Sequence, residues 1–259
     1  MADDGEDAAA PLSRCLADLS DEEFMRLPSP LSAPHLGMKK KNFEAVVDTQ
    51  EPGDHYGLKF PHSYELFQET GPEWLTDAFR AAGTLPEDNS VKAVKEVVGL
   101  SLDPTKGEAL GGAGVKVLLV VEYEKPNPSL HTQFFVKVPH PYTSQGNRYQ
   151  VSIRDLCDEG EIMFNRVLSA AVPLKVPKYY FGDISRNNTN CCLICEKLDF
   201  AKEWKSLDEF APFEIFPMCD KNKDYNIPDK GRSMYPALGT AMGKLVGAYH
   251  SGNMGSKER

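Results

Sequence analysis

Lys137 stands in the middle of Gln133-Phe-Phe-Val-Lys-Val138, whose alternation places Phe134, Val136 and Val138 on one strand face and Phe135 with Lys137 on the other. An ammonium drawn into an apolar strand is tolerated beside an anion, either a carboxylate or a ligand phosphate. The bland alternative is an edge-strand lysine that guards against aggregation. Glu161 follows 24 residues later at the margin of an apolar helical stripe, where a carboxylate points toward the sheet. Glu159 competes for that role, and a lone helix glutamate is ordinarily solvated. Upstream lies the Gly-rich run Gly107-Glu-Ala-Leu-Gly111-Gly112-Ala-Gly114. A strand lysine, a helix glutamate and a Gly-rich turn upstream together form a recognisable constellation.

Other reactive residues are weaker. Gly182-Asp183-Ile-Ser-Arg-Asn-Asn188 fits Gly-Asp-x-x-x-x-Asn, with Asp199-Phe200 beyond it, as a catalytic loop and metal aspartate would. Asp183 comes only 22 residues after Glu161 and Phe181 takes the place of the expected histidine, so a polar turn is the better reading. Cys191-Cys192-x-x-Cys195 suggests a metal site, yet on a strand Cys191 and Cys195 face one way and Cys192 the other. They read as buried small hydrophobes. The histidines show no metal pair at helical spacing, and His250 reads as a helix-end residue facing the C-terminal dipole.

The elements that must hold these residues follow from pattern. Pro72, Trp74, Leu75, Ala78 and Phe79 lie at helical spacing between Gly71 and Gly83. Val91–Leu102, Val115–Tyr123 and Gln133–Val138 are rich in β-branched residues and read as three antiparallel strands. A helix over Asp155–Ala170 presents Leu156, Met163, Phe164, Val167 and Leu168, and ends at Val172-Pro173. Lys178–Phe181 and Cys191–Cys195 read as two more strands joined by a polar turn over Gly182–Asn190. Asn187-Asn188-Thr189, formally a glycosylation acceptor, falls within that turn. A last helix runs from about Tyr235 to Tyr249.

The expected fold class is therefore α+β: a five-stranded antiparallel sheet with a helix packed across it, then the start of a helical unit. Residues 1–50 read as an acidic, mostly disordered tail, 51–200 as the sheet domain, and 201–259 as a linker and one helix. Within the tail, Ser20-Asp-Glu-Glu23-Phe24 reads as a capping box for one short helix to Leu27. Around Leu238, Leu245 and Val246 the last helix should expose an apolar patch, which predicts aggregation or a protein partner unless other sequence covers it.

The chain has 259 residues, 41% hydrophobic and 26% charged, which excludes collagen, coiled coil and wholesale disorder. Its net charge is −9, concentrated in the first 30 residues, where eight acids meet only Arg14 and Arg26. Nucleic acid is therefore a poor partner for it. Apolar runs such as Val117–Val121 fall far short of the roughly 20 residues that cross a bilayer, so no membrane is expected. An acidic N-terminus without an apolar core and six cysteines of irregular spacing point to a reduced, cytoplasmic protein.

Taken in order, Lys106-Gly107, Phe135-Val-Lys137-Val-Pro139, Glu161-x-x-Phe164, Val176-Pro-Lys-Tyr-Tyr180, Leu193-Ile-Cys-Glu196-Lys-Leu198 and Leu245-Val-Gly-Ala-Tyr-His250 carry a resemblance. From about Trp74 to His250 the chain resembles the N-terminal lobe of the aminoglycoside phosphotransferase and choline kinase group, particularly its ecdysteroid-kinase-like branch. The resemblance implies a kinase-like lobe that holds ATP with Mg²⁺. Lys137 would contact the α- and β-phosphates, Glu161 would orient Lys137, and the loop carrying Gly107, Gly111 and Gly112 would cover the phosphates through backbone N–H groups. Main-chain groups of Glu196, Lys197 and Leu198 would form the hinge beside adenine.

The family's His-Gly-Asp-x-x-x-x-Asn loop and following metal aspartate are expected beyond His250, and the sequence holds neither there. No catalytic residue, metal ligand or small-molecule acceptor is thus assigned. The expected protein is a kinase-like ATP-binding lobe, inactive or a truncated product of a longer enzyme. The alternative is a non-catalytic nucleotide-sensing or protein-interaction module.

Overall fold

The computed structural model describes residues 39–99, 114–143, 148–150, 152, 157–173, 176–198 and 234–253. Gly107, Gly111 and Gly112, the Ser20–Leu27 capping box and Asp199-Phe200 lie outside the described residues, as does 201–233.

The chain runs α1 (Lys40–Val46), α2 (Tyr64–Gln68), α3 (Pro72–Ala81), β1 (Val91–Gly99), β2 (Val115–Tyr123), β3 (Gln133–Val138), α4 (Cys157–Met163) with a π-helical turn (Phe164–Leu168), β4 (Tyr179–Ser185), β5 (Asn190–Glu196) and α5 (Met234–His250). The five strands form one antiparallel sheet in the order β1-β2-β3-β5-β4. The α+β class and the five-stranded antiparallel sheet expected from the sequence are what the chain adopts.

Helices cover both faces of this sheet rather than one. On the first face Leu75, Ala78 and Phe79 of α3, with Phe60 and Phe67, pack on Val117, Leu119, Val121, Phe134, Val136, Val138 and Ile194. Gly71 precedes α3, Pro72 opens it and Gly83 follows at φ 67°, a left-handed turn suited to glycine. On the second face Ile162 of α4 packs among Ile184, Cys191, Leu193 and Cys195. Cys192 instead joins the first face, so the three thiols divide as their alternation requires. All three are buried and free, and burial drives their pKa values upward, Cys195 to about 12.

Three expectations need correction. First, residues from Lys39 to 50 are not tail: Phe43 of α1 is fully buried between Tyr142 and Tyr149 at 5.6 and 5.5 Å, with the Arg148 guanidinium over its ring. Second, β4 extends through Gly182 and Asp183 to Ser185, and the turn shrinks to 186–189. Third, the helix before β4 gains a π-helical turn, in which Ser169 N–H donates to the Phe164 carbonyl at 2.8 Å. The five-residue period makes Ile162 and Val167 the buried pair and leaves Met163, Phe164 and Leu168 half-buried.

Although β4 is an edge strand, Phe181–Ser185 is buried throughout. The segment around Gly53–Tyr56 lies against it. Asp54 N–H donates to the Ile184 carbonyl at 2.9 Å, and the Asp183 carboxylate accepts from His55 and Tyr56 N–H at 3.0 and 2.9 Å. An otherwise open ladder edge is thereby closed by the chain's own N-terminal part.

Candidate phosphate site

β3 is central, flanked by β2 and β5, so Lys137 is not an edge lysine. Its register partners are Lys116 on β2 and Leu193 on β5. Directly opposed residues share a face, which places Lys116, Lys137 and Leu193 on the side that α4 covers. There the Lys137 ammonium donates to the Glu161 carboxylate in an ion pair that ties the sheet centre to α4. The Lys137 side chain keeps 18% of its exposure and Glu161 38%, so both remain within reach of a ligand.

Two buried ion pairs hold α4 in the orientation that aims Glu161. Asp158 meets Arg148 at 3.2 Å and accepts from Ser152 Oγ at 2.8 Å. Arg148 also donates to the Thr189 carbonyl and to Asn190 Oδ1. Glu159 accepts from Arg186 Nη2 at 2.6 Å and Nε at 2.9 Å, and Arg186 reaches Asp54 at 3.1 Å. Glu159 is therefore committed to Arg186, and of the two glutamates it is Glu161 that meets Lys137. Asn165 Nδ2 donates to the Glu161 carbonyl at 2.9 Å, extending the tie into the π turn.

Sequence reasoning missed Lys116. Only 5% exposed, it donates from Nζ to the Gly114 carbonyl at 2.7 Å. Burial first, then the Lys137 charge, lowers its pKa, while Glu161 partly offsets the fall. Its signal was the one that singled out Lys137: a lysine within an apolar strand, Val115-Lys-Val-Leu-Leu119. Gly114 sits equally close. A Cβ there would stand 2.4 Å from the Val138 carbonyl oxygen and 3.2 Å from Lys137 Cε and Cγ, so only glycine fits without displacement.

The hinge segment is partly spent on the sheet. Glu196 N–H donates to the Lys178 carbonyl at 2.8 Å and Lys197 N–H to the Gln133 carbonyl at 3.1 Å. The Glu196 carboxylate meets His131 Nε2 at 2.9 Å, and the other ring nitrogen of His131 lies 2.9 Å from Tyr180 Oη. The expected main-chain donors of Glu196 and Lys197 are thus already engaged; Leu198 follows them, half-buried.

Asp183 and Asn188 do not form a catalytic loop. Asp183 is fully buried and accepts three backbone N–H bonds, from His55, Tyr56 and Ile184. Burial nevertheless raises its pKa to about 6 against the opposing pull of those bonds, with the nearby Asp54 charge adding to the rise. Asn188 holds the hairpin turn, donating to Thr49 and accepting from Asn190 N–H. A groove of about 590 Å³, lined by Lys95, Val121, Tyr123, Pro126 and Pro128, lies at the far end of β2 from Lys116 and belongs to neither constellation.

On α5 the apolar patch is present with a different membership. Leu238, Met242, Val246 and Tyr249 are exposed at helical spacing, and Leu245 is half-buried. No helix among the described residues is long and apolar enough to cross a membrane. No family model, curated protein or solved structure matches the chain.

Proposed function

We propose that the sheet domain binds a nucleoside triphosphate, ATP with Mg²⁺, in a kinase-like lobe of the kind the sequence resembles. The observation that carries this reading is the Lys137–Glu161 ion pair between a central strand and the helix that follows it. A partly exposed ammonium, held by a carboxylate from a helix that two buried ion pairs fix, is pre-organised to receive a phosphate at little further ordering cost. The strand order and the position of α4 between β3 and β4 support the same reading.

Lys137 would place its charge against the α- and β-phosphates, and Glu161 would keep that ammonium from folding back on the sheet. Bound Mg²⁺ would neutralise phosphate charge, and no residue here is assigned to hold it. The assignment is one of binding. Transfer to a small-molecule hydroxyl needs an acceptor-positioning group that none of the assigned residues supplies, and the acceptor is not identified. The exposed stripe on α5 favours a second reading, in which the nucleotide-bound lobe serves as a protein-interaction module in the cytoplasm.

Calorimetric titration of the full chain with ATP, with and without Mg²⁺, tests the proposal. Saturable one-site binding that weakens at least about tenfold in Lys137→Ala supports it. Absence of binding, or equal affinity in the variant, overturns it.

A further inference from the structure

We propose that Lys116 is a second phosphate-contacting cation of this site, so that the ligand is gripped from β2 and β3 together; this rests on the nucleotide reading above. Lys116 and Lys137 are directly opposed on neighbouring strands and project from the same face. Like charges so placed repel. Glu161 moderates the repulsion, and a phosphate oxygen bridging both ammoniums converts it into attraction.

Position points the same way. Lys116 lies two residues beyond Gly114, at the end of the Gly-rich run, and its Nζ is anchored on the Gly114 carbonyl at 2.7 Å. That bond draws the ammonium back toward the start of β2. Gly114 in turn packs against Lys137, with Cε and Cγ 3.2 Å from where a Cβ would stand. The two lysines and the glycine thus form one unit. The ligand class that follows is a polyphosphate, recognised by charge at two adjacent points rather than one.

Affinities of the full chain for ATP, AMP, adenosine and inorganic tripolyphosphate, measured for wild type, Lys116→Met, Lys116→Arg and Lys137→Ala, test this. Lys116→Met keeps the aliphatic length and removes the charge. It should weaken ATP and tripolyphosphate by about tenfold or more, AMP less and adenosine not at all, with Lys116→Arg restoring most of the loss. A thermal melt on each variant establishes that it is folded.

If wild type and Lys116→Met bind ATP equally while Lys137→Ala is weakened, Lys116 is not a ligand contact and the nucleotide reading stands alone. If Lys116→Met lowers affinity for all four probes equally, its role is structural and the inference fails. Wild type that binds neither ATP nor tripolyphosphate overturns both proposals.

Discussion

Glu159 and Glu161 stand two residues apart on α4 and take opposite partners: Glu159 is buried against Arg186, whereas Glu161, half-exposed, meets Lys137 on the central strand. One glutamate fastens the helix and the other faces the candidate site. The division explains how a short, seven-residue helix can hold a carboxylate steadily over the sheet.

The fastening pair should dominate stability. Arg186→Met leaves Glu159, whose side chain is 2% exposed, without its main cation. Breaking a buried pair from one side costs about 3–5 kcal/mol. Urea unfolding should show a loss of that order, with Glu159→Gln costing less; a variant as stable as wild type would mean the pair does not hold the helix.

The facing pair should behave differently. Glu161→Gln removes a partly exposed charge, and its stability should change by less than about 1 kcal/mol. ATP affinity should nevertheless fall, because Lys137 loses the group that orients it. A large stability loss with unchanged affinity would assign Glu161 a structural role instead.

Gly114→Ala forces a Cβ to within 2.4 Å of the Val138 carbonyl oxygen. The backbone must move, at a cost of about 1–3 kcal/mol, and Lys137 moves with it. Thermal melting and ATP titration should both register the change; an unaltered melt would show that β2 and β3 separate freely at this point.

Acid should act on the N-terminal clasp through two neighbouring groups of opposite sign. Burial first, then the Arg166 and Arg186 charges, lowers the His55 pKa to about 3. The unfolded chain takes up a proton near pH 6.5 and the native one does not, so this group costs stability as pH falls from about 6.5 to 3. Asp183, raised from 3.8 to about 6, stays protonated in the native chain after the unfolded one has ionised. Its contribution is fully present below about pH 4 and is lost as pH rises through 6. That difference corresponds to about 3 kcal/mol. Between pH 4 and 6 the slopes oppose, and His55→Gln should lose less stability on acidification over that range than wild type does. Urea unfolding at pH 4, 5, 6 and 7 reads the slope, and an identical slope in the variant contradicts the assignment.

β2 and β3 were legible to the residue because their β-branched runs carry the period-two alternation and are bounded by glycine, proline and polar residues. The pairing of Lys137 with Glu161 was legible for a related reason: each is a charge set into an apolar pattern. What could not be read locally depends on distant chain. Gly182 and Asp183 carry turn chemistry, yet they lie in a strand because His55 and Tyr56, more than 120 residues earlier, bring N–H groups to the Asp183 carboxylate. Arg148 and Arg186 look like surface charges until Asp158 and Glu159 reach them. Likewise the π turn shifts the helical phase after Met163, so a stripe counted at 3.6 residues per turn misses Ile162.

Whether the Lys137–Glu161 pair receives phosphate is most directly read at the Lys137 ammonium itself, by NMR of the side-chain nitrogens of ¹⁵N-lysine-labelled chain during addition of ATP with Mg²⁺. The Lys137 Nζ resonance, assigned through Lys137→Arg, should shift in step with saturation, and the shift should vanish when adenosine replaces ATP. A resonance that stays fixed while ATP saturates the chain, or a chain that ATP leaves wholly unperturbed, would contradict the account.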